Sequence, residues 1–549
     1  MDTTARDGNA ALRKSIYALL IAIGLGAVIG RILAVDAVDL NHEAGAKFEK
    51  QLAAKRVELQ AKGLVGVQLD YALLREKTEL AVRSGLWRPF LSANDRSRWC
   101  TVRALVEPDM QVPGAPYAID KVIDAKLVAV TEGGIVREKL KMRPGWDTID
   151  LVQRNGHYYS SKPPLLSTLM AAEYWVIYHV TGKTLGTNPY EIGRFMLITI
   201  NGTCLLLVFI FTARLVERLG TSDWGRIFVM ASCVFGTFLT TFAVTITNHL
   251  PAAACTAVLV DALVRIWLDG DRRAWTFIVA GFFSAMLAAN EVPAGLLAAA
   301  ASLIVLCLAW KKTLIAYLPP ALLVTAAFFG TNWIAVQSLK PAQMHRSNDD
   351  DWYDYRGSYW NAKQGIDQGE TSAEVYALNV LVVHHGVFSL TPIWLMSLLG
   401  AGIWLVRRNG RGAKDSPLPP GAQKSSPLLP GEGQGVRAEA PGASEAQRVR
   451  WLALLALGVT IVCLAFYIWA PGVDRNYGGN ASAFRWVFWL APLWFVLMLP
   501  AADLIARSRW SRGVALLLLT LSALSNHYPT WNPWSPSWIM NFMGYMGWL

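Results

Sequence analysis

Apolar runs of roughly 17 to 25 residues recur from one end of this chain to the other, each long enough to cross a hydrocarbon core about 30 Å thick. A chain that repeats them has few ways to satisfy its backbone away from water, and the helix is the one these continuous runs permit. Composition agrees: 53% of the 549 residues are hydrophobic, 17% are charged and 23 are tryptophan, far from a soluble domain. The fold class expected is an all-α polytopic membrane protein. Its first run, "SIYALLIAIGLGAVIGRILAV", follows Arg13 and Lys14, is too long for a signal-peptide core and lacks a small-x-small cleavage site, so it reads as an uncleaved anchor.

Spans near 15–35, 193–212, 227–246, 250–267, 275–290, 293–310, 313–336, 387–406, 450–470, 485–505 and 513–525 give about eleven crossings, within a range of about ten to thirteen. With the N-terminus inside, the cytoplasmic loops collect Arg214, Arg218 and Arg226, then Arg272 and Arg273, Lys311 and Lys312, Arg407 and Arg408, and Arg507, Arg509 and Arg512. This works only if the short apolar run at 165–180 lies in the interface without crossing. The organisation expected is a cytoplasmic start and anchor (1–35), a large extracytoplasmic loop (36–192) and a membrane core (193–406) with an outer polar loop at 337–386. A Pro/Gly-rich disordered cytoplasmic loop (407–449), C-terminal spans (450–525) and an aromatic outer tail (526–549) complete it. Charged amphipathic helices are expected over 43–90, and a small β-hairpin within "DAKLVAVTEGGIVREKLKMRPGWDTIDLV".

The net charge of +11 sits in short clusters between apolar runs, which argues for membrane topology and against a nucleic-acid surface. Four of the six cysteines (Cys204, Cys233, Cys307 and Cys463) lie inside apolar runs, Cys255 near the start of another and Cys100 in a polar segment, without disulfide or metal-ligand spacing.

On this topology the unusual polar groups fall on the outer side. In "NGHYYSSKPPLLSTL" two prolines after Lys162 fix a helix start, so the helix end and the lysine together make an anion site at the membrane surface, where lipid phosphate is at hand. Snorkelling of Lys162 to headgroups is the plainer alternative. In "SANDRSRWCTVRALVE" Asp95 stands at a helix start, where Asn94 or Asp95 would also serve as an N-cap.

The ordered pair of motifs, Asp95, Arg98 and Trp99 followed by Tyr159, Lys162, Pro163, Pro164 and Leu165, resembles the first outer loop of the GT-C membrane glycosyltransferases. It is most similar to the branch of protein O-mannosyltransferases and lipid A aminoarabinose transferases. The resemblance is strongest over 92–310 and extends loosely to about 505. It implies inverting transfer of a sugar from a polyprenyl-phosphate donor to an acceptor hydroxyl at the outer face of a membrane, the bacterial inner membrane being expected, without metal or other cofactor. By position, Asp95 would be the general base, Lys162 the donor-phosphate ligand, and Arg98 and Tyr159 substrate contacts. A carboxylate placed to take a hydroxyl proton is worth about 10² to 10⁴ in rate, and a fixed cation stabilises the charge that grows on the leaving phosphate.

Arg194 and Arg485, at outer ends of spans, are further phosphate candidates against a snorkelling alternative. His249 in "TITNHLPAAA" is a candidate phosphate ligand or proton carrier, and Asn248 and Glu291 are candidate substrate contacts with helix capping as the alternative. The aminoarabinose branch carries an aspartate about where Asn248 stands. Asp349, Asp350 and Asp351 read better as a solvated charge run than as a cation site. Long gaps before Asp95 and Lys162 leave Asp36, Asp39, Asp147 and Asp150 as rival carboxylates. Expected partners are membrane lipid, the lipid-linked donor and a glycolipid, polysaccharide or protein acceptor, with no nucleic acid. The runner-up function is a lipid or solute transporter, which would carry polar groups on past the bilayer middle.

Overall fold

The apolar runs form helices that bury their small and aromatic side chains against one another and turn leucine, isoleucine and tryptophan outward. Leu303, Ile315, Leu323, Ile334, Ile461, Phe466 and Leu517 are all exposed, the pattern of a surface meant for lipid. A computed structural model describes residues 3–38, 40–84, 88–123, 145–346, 351–406 and 445–548. It is mostly helical and reads as a multi-pass membrane protein.

The first helix, Thr3–Val38 (α1), is followed by two charged helices, Leu40–Ala61 (α2) and Val67–Ser84 (α3), which pack on each other, and by Ala93–Val106 (α4). Strands Leu151–Arg154 (β1) and His157–Ser160 (β2) pair antiparallel with Leu151 opposite Ser160. Then come Pro164–Thr181 (α5), Pro189–Leu219 (α6), Asp223–Phe235 (α7), His249–Trp267 (α8), Ala274–Asn290 (α9), Gly295–Lys312 (α10) and Leu318–Val336 (α11). The C-terminal part adds Ala373–Leu381 (α12), Trp394–Val406 (α13), Glu445–Ile468 (α14), Ala491–Ile505 (α15), Arg509–His527 (α16) and Trp538–Tyr545 (α17).

Among the described residues, seven segments are long and apolar enough to cross a membrane: 9–34, 189–219, 223–244, 249–267, 292–336, 446–468 and 485–505. The helices at 274–290 and 394–406 are shorter, and α5 and α16, where the sequence predicts an interfacial helix and a last span, are not among the seven. The 45-residue segment 292–336 is not one rod. Tyr317 Oη lies 2.7 Å from Ser302 Oγ and 2.6 Å from Ser284 Oγ. Fifteen residues of straight helix would separate Tyr317 from Ser302 by about 22 Å. The chain therefore doubles back at Ala309–Lys312, where Ala309 leaves helical geometry, matching the break predicted at Lys311 and Lys312.

Helix α8 is the axis of the core, buried along nearly its whole length and packed on α6, α9 and α15. Helix α1 is clamped at one end, where Arg13 binds both oxygens of Glu217 at 3.0 and 2.8 Å and Asp223 at 2.7 Å.

The hairpin falls later than predicted. Residues 124–144, the bulk of the predicted hairpin, lie outside the described residues, as do 407–444 of the predicted disordered loop. The strands that form flank Asn155 and Gly156, both at positive φ (51° and 80°), which an Asn-Gly turn tolerates.

Two glycines set the closest helix contacts. A Cβ at Gly281 would lie 2.0 Å from the Tyr317 carbonyl, and one at Gly400 2.0 Å from the Leu497 carbonyl. Gly281→Val and Gly400→Val should each cost about 1–3 kcal/mol and lower the melting temperature in detergent. Gly402→Val, whose Cβ meets nothing within 4 Å, should stay close to the wild type.

Candidate functional site

Helix α4 begins where Ser92, not Asn94 or Asp95, accepts the Asp95 amide at 3.1 Å, so capping does not occupy the Asp95 carboxylate. Asp95 Oδ1 accepts from Trp99 Nε1, one turn on, at 2.8 Å and from the Ile246 amide at 3.2 Å. Its Oδ2 is buried and has no hydrogen-bond partner among the described residues. Burial pushes this carboxyl up to about 7 against the pull of Arg98.

The hairpin delivers Lys162. Ser160 Oγ on β2 meets Ser97 Oγ on α4 at 2.5 Å and accepts the Lys162 amide at 3.2 Å. Lys162 Nζ then pairs with Asp150 Oδ2 at 2.8 Å, while Ser161 Oγ donates to the other Asp150 oxygen. Burial lowers Lys162 to about 8 although Asp150 opposes it. Asp150 moves the other way: burial resists its ionisation, but Lys162, Ser161 and Arg98 outweigh that and hold it below the usual carboxylate range.

Four buried side chains and the half-buried Asn248 form a chain beside this pair. Arg98 donates to Asn94 O and Oδ1 at 2.9 and 2.7 Å and to Asn248 Oδ1 at 2.7 Å. Asn248 Nδ2 donates to Glu291 Oε1 at 2.8 Å and to Asn290 O at 3.0 Å, and His249 Nδ1 also donates to Glu291 Oε1. Arg485 Nη1 donates to His249 Nε2 at 2.7 Å, and Arg485 Nε and Nη2 donate to Gly478 O at 3.0 and 2.8 Å. Burial lifts the Glu291 carboxyl to about 8. Neither Asn248 nor Glu291 caps a helix with its side chain.

Lys162 and Arg485 line one cavity of about 420 Å³. Its walls include Asn94, Asp150, Arg346, Asp367, Trp360 and Trp534. That volume suits a small polar headgroup. Asp95 follows Asn94 in the first turn of α4 and does not itself line the space. Arg98, Asn248, His249 and Glu291 support the wall from behind, and both ring nitrogens of His249 are committed to protein partners, which leaves neither for a phosphate.

Arg194 on α6 is not part of the cavity. Tyr159 packs instead against Val152, Trp352 and Tyr353 in a separate apolar cluster. Of the rival carboxylates, Asp147 is held bidentately by Arg88 at 2.6 to 2.9 Å, and Asp150 enters the cavity. Asp39, Asp349 and Asp350 lie outside the described residues, as does the side chain of Asp36, while Asp351 is exposed. Among the described residues no group of three or more His, Cys, Asp or Glu could hold a metal.

Sequence reasoning missed Arg346, Asp367 and Asn476; the aromatic tail, which the sequence allows either as a lid or as an interfacial belt, supplies Trp534 to the wall. Trp534 lies under the Arg485 guanidinium at 4.7 Å, and Asn480 Nδ2 donates to Trp534 O at 3.1 Å. The Gly478-Gly479 pair, at φ 88° and 78°, was the available signal, because such a turn bares a carbonyl to a neighbouring donor. Comparison with family models, curated proteins and solved structures finds no match for this chain.

Asp95 holds a proton in the native protein that the unfolded chain has already lost between its ordinary value of 3.8 and about 7. The stability this gives is complete below pH 4 and is lost as pH rises through 7. Asp95→Asn keeps an oxygen for Trp99 and Ile246 and removes the buried charge. The variant should be more stable than wild type by on the order of 2–4 kcal/mol at pH 8, an advantage that shrinks to nothing near pH 4 in thermal denaturation.

Proposed function

We propose that this chain is a membrane glycosyltransferase that moves a sugar from a polyprenyl-phosphate donor to an acceptor hydroxyl, with inversion. The observation that carries the reading is the convergence of Lys162 and Arg485 on one cavity with Asn94, the neighbour of Asp95 in the first turn of α4, in its wall, while one Asp95 carboxylate oxygen has no hydrogen-bond partner among the described residues. The resemblance of the motifs around Asp95 and Lys162 to the GT-C glycosyltransferases supports it. The proposal includes about eleven crossings, a cytoplasmic N-terminus and a site facing out of a bacterial inner membrane.

In this mechanism substrate binding draws the wall at Asn94 aside, and the acceptor hydroxyl donates to Asp95 Oδ2, which before that is buried and has no donor among the described residues. As the acceptor oxygen forms its bond to the anomeric carbon, its proton passes to Asp95, and the bond to the phosphate oxygen breaks with its electron pair. Lys162 and Arg485 meet the charge that collects on that phosphate. Glu291 and His249 act through Arg485 by holding its guanidinium, and Arg98 through Asn248, so these are positioning residues.

Transfer of label from polyprenyl-phosphate sugars in membranes tests the reading. Asp95→Asn should lower kcat by about 10² to 10⁴ with little change in KM, and Lys162→Ala should lower kcat and raise the KM for donor. Asp95 works as the carboxylate, above about pH 7, and Lys162 as the cation, below about pH 8. The rate should therefore trace a narrow bell between those values, and Asp95→Asn should remove its acid limb. Transfer that survives Asp95→Asn with its pH profile intact would move the base to Asp150, and absence of transfer by wild type with every donor would bring a transporter forward.

A further inference from the structure

Arg346 lies in the cavity wall with its guanidinium 4.1 Å over the ring of Trp360, a stack that fixes the plane of its donors. Its Nε and Nη2 are buried and have no hydrogen-bond partner among the described residues. Asp474 Oδ1 is 3.6 Å from Nε, beyond hydrogen-bond length. Those two nitrogens form the side-on fork that matches the oxygen pair of a carboxylate or phosphate. The protein uses the same fork elsewhere: Nε and Nη2 of Arg13 bind the two oxygens of Glu217, and those of Arg88 bind Asp147. In Arg346 alone of these three the fork has no oxygen pair bound across it, and the residue stands in a cavity wall.

The surroundings set Arg346 apart from Lys162 and Arg485. The cations that press most on Lys162 are Arg98 and Arg485, whereas Arg346 stands with Tyr353, Asp474 and Lys363, whose amine lies 5.9 Å from the centre of the Trp360 ring. Asp367 is already held by Tyr359 at 2.9 Å and Asn476 at 3.2 Å. Lys162 is likewise matched by Asp150. Arg346 has Asp474 as an ion-pair neighbour at 3.6 Å, but no oxygen is hydrogen-bonded to its fork among the described residues.

We propose that Arg346 is a second anion subsite of the cavity, taking the oxygen pair of a ligand carboxylate or phosphate at a place separate from Lys162 and Arg485. The inference rests on the reading that this cavity holds the substrate, and it names the class: a ligand with two separated anionic groups. One source is a donor sugar bearing a carboxylate, as in a uronic acid, and the other is a second phosphate.

The test reads binding, not turnover, on the purified full-length chain in lipid nanodiscs. The probes are farnesyl phosphoglucose, farnesyl phosphoglucuronate, farnesyl phosphate, farnesyl diphosphate, and free glucose and glucuronate. Wild type should bind one doubly anionic probe about tenfold more tightly than its singly charged counterpart, and Arg346→Gln should erase that preference while leaving the counterpart within about twofold. Arg346→Lys, which keeps the charge without the fork, should not restore it. Preference for the glucuronate probe assigns a sugar carboxylate, and preference for the diphosphate assigns a phosphate. Equal binding of paired probes by wild type, or equal weakening of all of them by Arg346→Gln, overturns the subsite. If farnesyl phosphate does not bind but glucuronate does through Arg346, the donor reading falls and the subsite stands; if no probe binds, both fall.

Discussion

The hydrogen bond from Arg485 to the ring of His249 is the contact on which the rest of the site depends. Arginine only donates, so His249 Nε2 must be bare and the ring proton must sit on Nδ1, facing Glu291. At the other end Arg98, also a donor only, claims Asn248 Oδ1, which turns the Asn248 amide nitrogen toward the same Glu291 oxygen. Two arginines at the ends and one carboxyl in the middle leave this chain a single arrangement. Such an arrangement needs no ligand to set it, and a buried polar network that is fully matched in this way is rigid. It ties the start of α4, the turn before α8, the end of α9 and the segment before α15 into one wall.

Two carboxyls near that wall show how environment divides labour. Asp150 has a lysine at 2.8 Å and a serine hydroxyl, so it stays charged although it is buried. Asp95 is no less enclosed, yet among the described residues its donors are an indole and one amide, both on the same oxygen, and no cation binds it directly. Burial then dominates and the carboxyl moves up to about 7. A group poised there can take or hold a proton at neutral pH, whereas Asp150 is spent as the partner of Lys162. Geometry favours Asp150, which lines the cavity, and chemistry favours Asp95. In the proposed reaction chemistry decides, because a base must have an oxygen free to receive the proton.

Much of the frame was legible in the sequence because length and polarity of a helix are local properties. The apolar runs, the break at Lys311 and Lys312 and the proline-led start of α5 all follow from residues within a few positions of one another. Lys162 and Arg485 were found for a similar reason, since a cation at the edge of an apolar run stands out. The roles of His249 and Glu291 were not legible, because what decides them is the partner on a distant helix: His249 reads as a phosphate ligand until Arg485, more than two hundred residues on, is seen to occupy its second nitrogen. The hairpin expected within 124–152 forms instead around the Asn155-Gly156 pair a few residues later, which carries the stronger local signal. Arg346 gave no signal at all, as its stack on Trp360 is a tertiary fact.

Arg485 and Arg346 face the same cavity but are prepared for different work. Arg485 spends Nε and one Nη2 hydrogen on Gly478 O and one Nη1 hydrogen on His249, and it rests over Trp534 from the C-terminal tail. Of its five hydrogens at most two remain, and its fork is no longer free. A phosphate beside it would feel chiefly its charge. A guanidinium held by a backbone carbonyl, a histidine and an indole cannot follow a ligand as bonds rearrange, and that immobility is what lets a fixed cation favour the separated charge over the starting state. Arg346 keeps its fork, so its part is recognition, which rewards two well-aimed hydrogen bonds more than a rigid field. The tail therefore belongs to the site through Trp534, because removing that indole would loosen the one arginine whose position the whole wall is built to hold.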